Sequence, residues 1–600
     1  MSYMQRPEIA GSSASLLPRT PQPKPPVRGS QISLASSLSD KFSLTPNPAE
    51  WGAALTMSTP EPDDFLHNPD PKRDLRHDGG GHIFTSRGVT NLGCLFILAA
   101  GILMLLYAAP SSPQLTLSHP RPSAGYPIYS HFTRHEQSRL GGFNLGGMNA
   151  TGQVAAFPNW PGLIDIATPQ SAYTKPSYND PTQQWELVFS DEFAVDGRTF
   201  NPGDDPYWEA VDLYYWQTGD LEWYDPKQAT TKDGYLRLTL ETAVPENNHN
   251  LSYVSGMIQS WNKFCFTGGL IEVSVQLPGS STKGGLWPAV WTMGNLGRAG
   301  YGASLDGMWP YSYDTCDIGT LANQTMPGAT VPEAAFTNGD PENNDQLSLL
   351  PGQRLSACTC PGESHPGPVH HDGSFVGRSA PEIDLFEALV GTTAAVSQSA
   401  QWAPFNAQYA WDNTTQNLKI VNPDVTVLNT YTGGAFQQTT SMMSNTNTDC
   451  YELEAGCFSI YGYEYQPSTS SDPGYITWVT NGTSVATIEG AGMGPDKAAN
   501  ISTRPITLEP MYIIMNLGLS NSFAHGVDLS TLNYPTTMLI DYVRVYQPSG
   551  SKNIGCDTPE RPTAEYINAY PDAYANANFT LFGTPQYNQS IPRNKLIDAC

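Results

Sequence analysis

From Trp185 onward, apolar and polar positions alternate in short runs separated by turn residues. The first run is Trp185-Glu186-Leu187-Val188-Phe189-Ser190-Asp191-Glu192-Phe193, and residues 220–226, 233–238, 268–276 and 289–293 continue the pattern. A period of two predicts strands with one buried face. Repetition of short strands predicts an all-β fold, a jelly-roll sandwich of two antiparallel sheets of the concanavalin A-like kind. Two long stretches break the alternation. Roughly ninety residues separate Trp291 from Glu382, and a second irregular stretch covers 421–473. Cysteines and aromatics in both favour ordered excursions over disorder, the first of them covering one end of a cleft.

Upstream the pattern differs. Residues 1–87 are rich in Ser and Pro without a sustained apolar period, which predicts a disordered tail. Residues 92–109 are uncharged and centred on Leu95-Phe96-Ile97-Leu98 and Ile102-Leu103-Met104-Leu105-Leu106; with 88–91 they reach the ~20 residues needed to cross a bilayer. Lys72, Arg73, Arg76 and Arg87 lie on the N-terminal side, and the next basic residue beyond is Arg121. The positive-inside rule therefore predicts a cytoplasmic N-terminus. A cleaved signal peptide would need an n-region of about ninety residues, so 88–109 reads as a type II signal anchor. Pro, Ser and Gly dominate 110–180, a stem leading to a folded domain at 181–548 and a C-terminal extension at 549–600.

Composition sharpens this picture. With 54 Gly, 51 Pro and 11% aromatic residues, an all-β domain with long loops is favoured. The formal charge is −26, yet residues 1–87 carry nine basic and nine acidic side chains, so the deficit lies entirely beyond the span. That charge excludes nucleic acid and anionic membrane surfaces as main partners, while a neutral polysaccharide meets no electrostatic objection. Of nine cysteines, Cys94 lies in the span and eight lie beyond it, an even set that predicts disulfides in an oxidising compartment with 105 possible pairings. Cys556 and Cys600 would pin the extension back. Zinc on Cys358 and Cys360 with His370 and His371 is the alternative, but the spacing is not a standard ligand pattern. No metal and no cofactor is expected. Asn-x-Ser/Thr acceptors occur at Asn149, Asn250, Asn323, Asn413, Asn481, Asn500, Asn578 and Asn588, all beyond the span. The expected location is the secretory pathway or cell surface, with the folded domain lumenal or extracellular.

The candidate chemistry sits in Glu382-Ile383-Asp384-Leu385-Phe386-Glu387, followed by apolar Ala388-Leu389-Val390. In a regular strand Glu382 and Asp384 share a face, while Glu387 points into the apolar layer, where an unpaired carboxylate costs several kcal/mol. A β-bulge at Leu385-Phe386 returns Glu387 to the face of the other two. Three carboxylates on one face fit a nucleophile, a helper and an acid/base of a retaining glycosidase, whose two main carboxyls sit ~5–5.5 Å apart. On the motif alone, a chance pattern on a solvated edge strand competes evenly.

The surrounding sequence tips that balance. Gly285-Leu286-Trp287-Pro288-Ala289-Val290-Trp291 precedes the motif, and Leu539-Ile540-Asp541-Tyr542-Val543-Arg544-Val545-Tyr546-Gln547 closes the domain. With the motif, these resemble the laminarinase-like branch of glycoside hydrolase family 16. Flanking segments such as Asp306-Gly307-Met308-Trp309-Pro310-Tyr311-Ser312-Tyr313-Asp314 resemble its fungal β-1,6-glucan synthesis-associated subfamily. The resemblance spans roughly 185–547. It implies a β-glucan substrate, Glu382 as nucleophile, Glu387 as acid/base and Asp384 orienting Glu382. For sugar stacking, Trp287 and Trp402 are the candidates, with Trp291 and Trp478 undecided. Related laminarinases often carry a His-Trp pair near the acid/base; Gln401-Trp402 stands in that place, and Gln401 cannot titrate. A glucan-binding scaffold without turnover is the competing expectation.

Overall fold

The computed structural model describes residues 162–405, 411–521, 523, 529–584 and 589–600. The expected tail 1–87, span 88–109, most of the stem, Asn149 and Asn588 lie outside the described residues. Among the described residues, no helix is long and apolar enough to cross a membrane.

Among the described residues, two sheets, of thirteen and ten strands, carry the fold. The larger is built around strand Gly269–Gln276, which pairs antiparallel with Ser459–Gln466 on one side and Thr536–Pro548 on the other. In the smaller, the order runs Thr426–Leu428, Gln437–Asn445, Ala394–Trp402, Glu382–Val390, Leu286–Gly294, Met511–Leu519, Met257–Gln259, Glu209–Ala210. Every pairing along that order is antiparallel. The inner faces of the two sheets meet in one apolar core that includes Ile271, Val273 and Val275 from the first and Val290, Ile383, Phe386 and Ile513 from the second. This is the jelly-roll sandwich that the alternation predicts.

The carboxylate strand, Glu382–Val390, lies in the middle of its sheet, not at an edge. Its register against Leu286–Gly294 runs Met293↔Glu382, Thr292↔Ile383, Trp291↔Asp384 and then Val290↔Phe386, Ala289↔Glu387. Leu385 is the extra residue. Both Leu385 and Phe386 therefore turn into the core, and Glu387 returns to the face of Glu382 and Asp384. A bulge disrupts ladder hydrogen bonding, and side chains answer the carbonyls around it. Thr292 Oγ1 donates to Ile383 O (2.9 Å), Trp478 Nε1 to Asp384 O (3.0 Å) and Gln398 Nε2 to Leu385 O (2.9 Å).

Three boundaries differ from expectation. Residues 162–180, expected as stem, belong to the fold: strand Thr174–Pro176 pairs with Gln184–Asp191, and Asp165 accepts from Glu192 N (3.0 Å). The stretch 421–473 is not one irregular excursion, since it contains strands Gln437–Asn445 and Ser459–Gln466. The extension is woven in, with short helices Ala564–Ala569 and Pro571–Ala575 burying Tyr566, Ile567 and Tyr574 in a second apolar cluster with Trp291 and Trp309. The long excursion before Glu382 is ordered, as expected. All eight cysteines beyond the expected span pair, as Cys265–Cys556, Cys316–Cys358, Cys360–Cys600 and Cys450–Cys457. Cys358 and Cys360 are thus committed to disulfides, which removes them as zinc ligands.

Candidate active site

Glu382, Asp384 and Glu387 share the sheet face turned away from the core and are all buried, at 2%, 1% and 6% exposure. Each has its own donor. Trp309 Nε1, from the excursion, donates to Glu382 Oε2 (2.8 Å). Ser399 Oγ and Gln401 Nε2, on the next strand, donate to Asp384 Oδ2 (2.5 and 3.3 Å). Trp287 Nε1 donates to Glu387 Oε1 (3.1 Å). Three carboxyls crowded out of water resist ionising together. Burial, then the charge of Asp384, raises Glu382 well above the usual carboxylate range, against the Trp309 donor. Burial, then Glu387, pushes Asp384 up to about 8, against Ser399 and Gln401. Burial also raises Glu387, opposed by Trp287. The cluster is suited to carrying fewer charges than carboxyls near neutrality. That is what an acid beside a nucleophile requires.

Alternation explains the remaining positions. On strand Ala394–Trp402, Ser397, Ser399 and Gln401 face the carboxylates, so Trp402 faces inward. It is 3% exposed in the core and donates to Thr440 Oγ1 (3.0 Å). The expectation that Trp402 stacks on sugar is therefore corrected. Trp478 is likewise core, fully buried on the Asp384 carbonyl. Trp287 does join the site, stacked on Phe523 with ring centroids 4.5 Å apart. Gln401 also joins it, directed to Asp384, and its Oε1 accepts from Thr439 Oγ1 (2.7 Å).

Beside Glu387 lies a small cavity of about 20 Å³, room for about one water, lined in part by Trp287, Trp291, Asn516 and Asp220. Residues 53–600 match the family described as "Beta-glucan synthesis-associated protein SKN1/KRE6/Sbg1". The chain belongs to this family. It is 39% identical over 588 residues to "Beta-glucan synthesis-associated protein KRE6" of Candida albicans, covering 94% of this chain and 71% of that protein. To the Saccharomyces cerevisiae protein of the same name it is 39% identical over 557 residues, covering 91% and 70%. Among solved structures, the endo-β-1,3-glucanase of Pyrococcus furiosus aligns with TM-score 0.35 and 17% identity over 62% of this chain and 98% of that one.

Two features of this family member escaped the sequence reading. Trp309 lies in a segment noted only for its resemblance, and nothing in its spacing points to Glu382 some seventy residues on. Asp220 and Glu222 read as strand positions, yet both are buried. Tyr224 Oη donates to Asp220 (3.2 Å), Asn516 Nδ2 donates to Tyr224 Oη (3.1 Å), and Trp291 Nε1 donates to Asn516 Oδ1 (2.8 Å). Burial pushes Asp220 up to about 7, against the Thr218 hydroxyl. A chain of hydrogen bonds thus leads from a second perturbed carboxyl to Trp291, which lines the cavity beside Glu387. The i, i+2 spacing of Asp220 and Glu222 was the available signal. The six described glycosylation candidates, Asn250, Asn323, Asn413, Asn481, Asn500 and Asn578, are all exposed.

Proposed function

We propose that this chain is a membrane-anchored β-glucan glycosidase or transglycosylase of fungal wall β-1,6-glucan assembly, working with retention of configuration in the secretory pathway. The observation that carries this reading is the bulge at Leu385, which sets Glu382, Asp384 and Glu387 on one face. Glu382 attacks the anomeric carbon while Glu387 protonates the departing oxygen, leaving a glycosyl-enzyme. Glu387 then takes the proton of the incoming hydroxyl, which displaces Glu382. Water gives hydrolysis, and a second glucan gives chain transfer. Asp384, with a raised pKa, holds or shares a proton between the two. Four disulfides and exposed acceptor asparagines support a lumenal domain. The names of the two KRE6 relatives support a role in β-glucan synthesis.

One observation favours a second reading, a glucan-binding scaffold without turnover: Gln401 bonds Asp384 and brings no titratable group to the acid/base. The deciding experiment incubates the full chain with β-1,3- and β-1,6-linked oligoglucosides and follows chain length. Glu387→Gln is expected to form the glycosyl-enzyme from an activated aryl glucoside and to be rescued by azide with retention, while Glu382→Gln fails at the first step. Binding without any change in chain length, in the parent chain, would favour the scaffold.

A further inference from the structure

A second pocket, larger than the cavity beside Glu387, lies where the excursion before Glu382, the hairpin loop around 468–470, the stretch 505–509 and the C-terminal extension meet. Its volume is about 300 Å³, at the lower end of the range of small-molecule sites. None of the three carboxylates of the active site lines it. Its walls mix three kinds of surface. Hydroxyls come from Ser312, Ser379, Thr469 and Thr507, an apolar patch from Ile506 and Leu508, and charges from Arg561, Asp314 and Glu509.

Two observations mark this as more than a packing gap. Ser312 is 7% exposed and its hydroxyl has no hydrogen-bond partner, a state a buried polar group rarely occupies without a ligand or water. Arg561 is half-buried, and among the described residues its guanidinium donates only to the carbonyl of Glu560 (3.3 Å) and forms no ion pair. Most of a five-donor fork is therefore unused. The nearby Glu509 does not satisfy it, because both its oxygens are taken by Arg378 (2.7 and 2.8 Å). Asp314 is engaged by Gly377 N (2.6 Å) and His370 Nε2 (3.1 Å).

We propose that this pocket is a second carbohydrate site, taking one terminal pyranose of a neutral glucan. Guanidinium donors beside the Ser312, Ser379 and Thr469 hydroxyls, which can both donate and accept, match the paired donor and acceptor roles of vicinal sugar hydroxyls. The Ile506 and Leu508 wall suits the apolar C–H face of the ring. An anion fits poorly, since Asp314 and Glu509 would face it. Ser379 precedes the carboxylate strand by three residues and Ser312 follows Trp309 by three, so a chain end held here is anchored beside the segments that frame Glu382. The identity of the sugar as glucose rests on the proposed function; the site itself does not require turnover.

The test titrates the full chain, purified in detergent, with gentiobiose and with methyl β-D-glucopyranoside, following binding by ligand-detected NMR and stoichiometry by calorimetry. Two sites are expected in the parent. Trp287→Ala is expected to weaken one of them and leave the other. Arg561→Ala is expected to weaken the second by about tenfold or more, and Ser470→Trp, on the exposed loop, to block it with an unchanged melting temperature. The Ser470 variant carries the test if Arg561→Ala does not fold. A single site in the parent, two sites surviving in the Ser470 variant, or displacement of the sugar from the Arg561 site by inorganic phosphate would each overturn the proposal. Loss of turnover with both sites intact would instead count against the catalytic reading alone.

Discussion

Asp384→Asn is expected to make the protein more stable and inactive together, and the stability gain has a defined pH dependence. In the folded chain the Asp384 carboxyl is pushed up to about 8 from an ordinary value of 3.8. A raised carboxyl pKa means that the native state binds more protons than the unfolded one between about pH 4 and 8. Stability from this group is therefore fullest below the unfolded pKa and lost as pH rises through that window. At ~1.36 kcal/mol per unit, the full shift corresponds to ~5 kcal/mol by pH 8. Glu387 contributes to that shift and relaxes when Asp384 is neutral, so about 2–4 kcal/mol is the expected gain. Asn keeps an acceptor for Ser399 and a similar volume, so little else changes. For roughly 430 ordered residues the unfolding entropy is about 0.9 kcal/mol/K, which turns the gain into about 2–4 K. Thermal melts of the full parent and variant chains at pH 5 and pH 8 read it directly. The variant is expected to lead by about 1 K at pH 5 and by about three times as much at pH 8. Parallel curves across that range would refute the claim that Asp384 is held protonated by its surroundings.

Three further substitutions test how the tryptophans divide between site and core. Trp309→Phe removes the donor to Glu382 and is expected to slow glycosyl-enzyme formation by about tenfold or more; an unchanged burst with an activated aryl glucoside would exclude that role. Trp402→Ala is expected to cost about 3–5 kcal/mol of stability with KM for glucan unaffected. Trp287→Phe should spare stability but raise the pKa of Glu387 by removing its donor, moving the alkaline limb of the pH–rate profile upward; a fixed limb would refute it.

The bulge was legible from sequence because the alternative is expensive: an unbulged strand buries Glu387 beside Ile383 and Leu385. The same rule of alternation, applied one strand further, assigns Trp402 inward as soon as Gln401 is placed opposite Glu382. Reading Gln401-Trp402 as a pair with one role hides this, because neighbours on a strand face opposite ways. Trp309 and the Asp220–Tyr224–Asn516 chain were not legible, since they reach the site through tertiary contacts that leave no period in the sequence.

Strand Gln437–Asn445 went unread for a reason that leads back to the carboxylates. Its sequence, Gln-Gln-Thr-Thr-Ser-Met-Met-Ser-Asn, has almost no apolar period, yet it pairs with Ala394–Trp402 from Gln438 to Asn445. Part of its inward face is polar because it supports Gln398, whose amide is buried behind the bulge. Gln398 Nε2 donates to Leu385 O and Val479 O (2.9 and 3.0 Å), and its Oε1 accepts from Ser444 Oγ and Thr480 Oγ1 (3.2 and 2.8 Å). A buried amide is tolerable only when such partners complete it. The extra residue that brings Glu387 to the active face therefore leaves a carbonyl to be satisfied inside the sandwich. Satisfying it takes a glutamine, and satisfying the glutamine takes a serine on the adjacent strand and a threonine from the facing sheet. The irregularity that makes the carboxylate face readable is the same one that erases the hydrophobic signal of its neighbour.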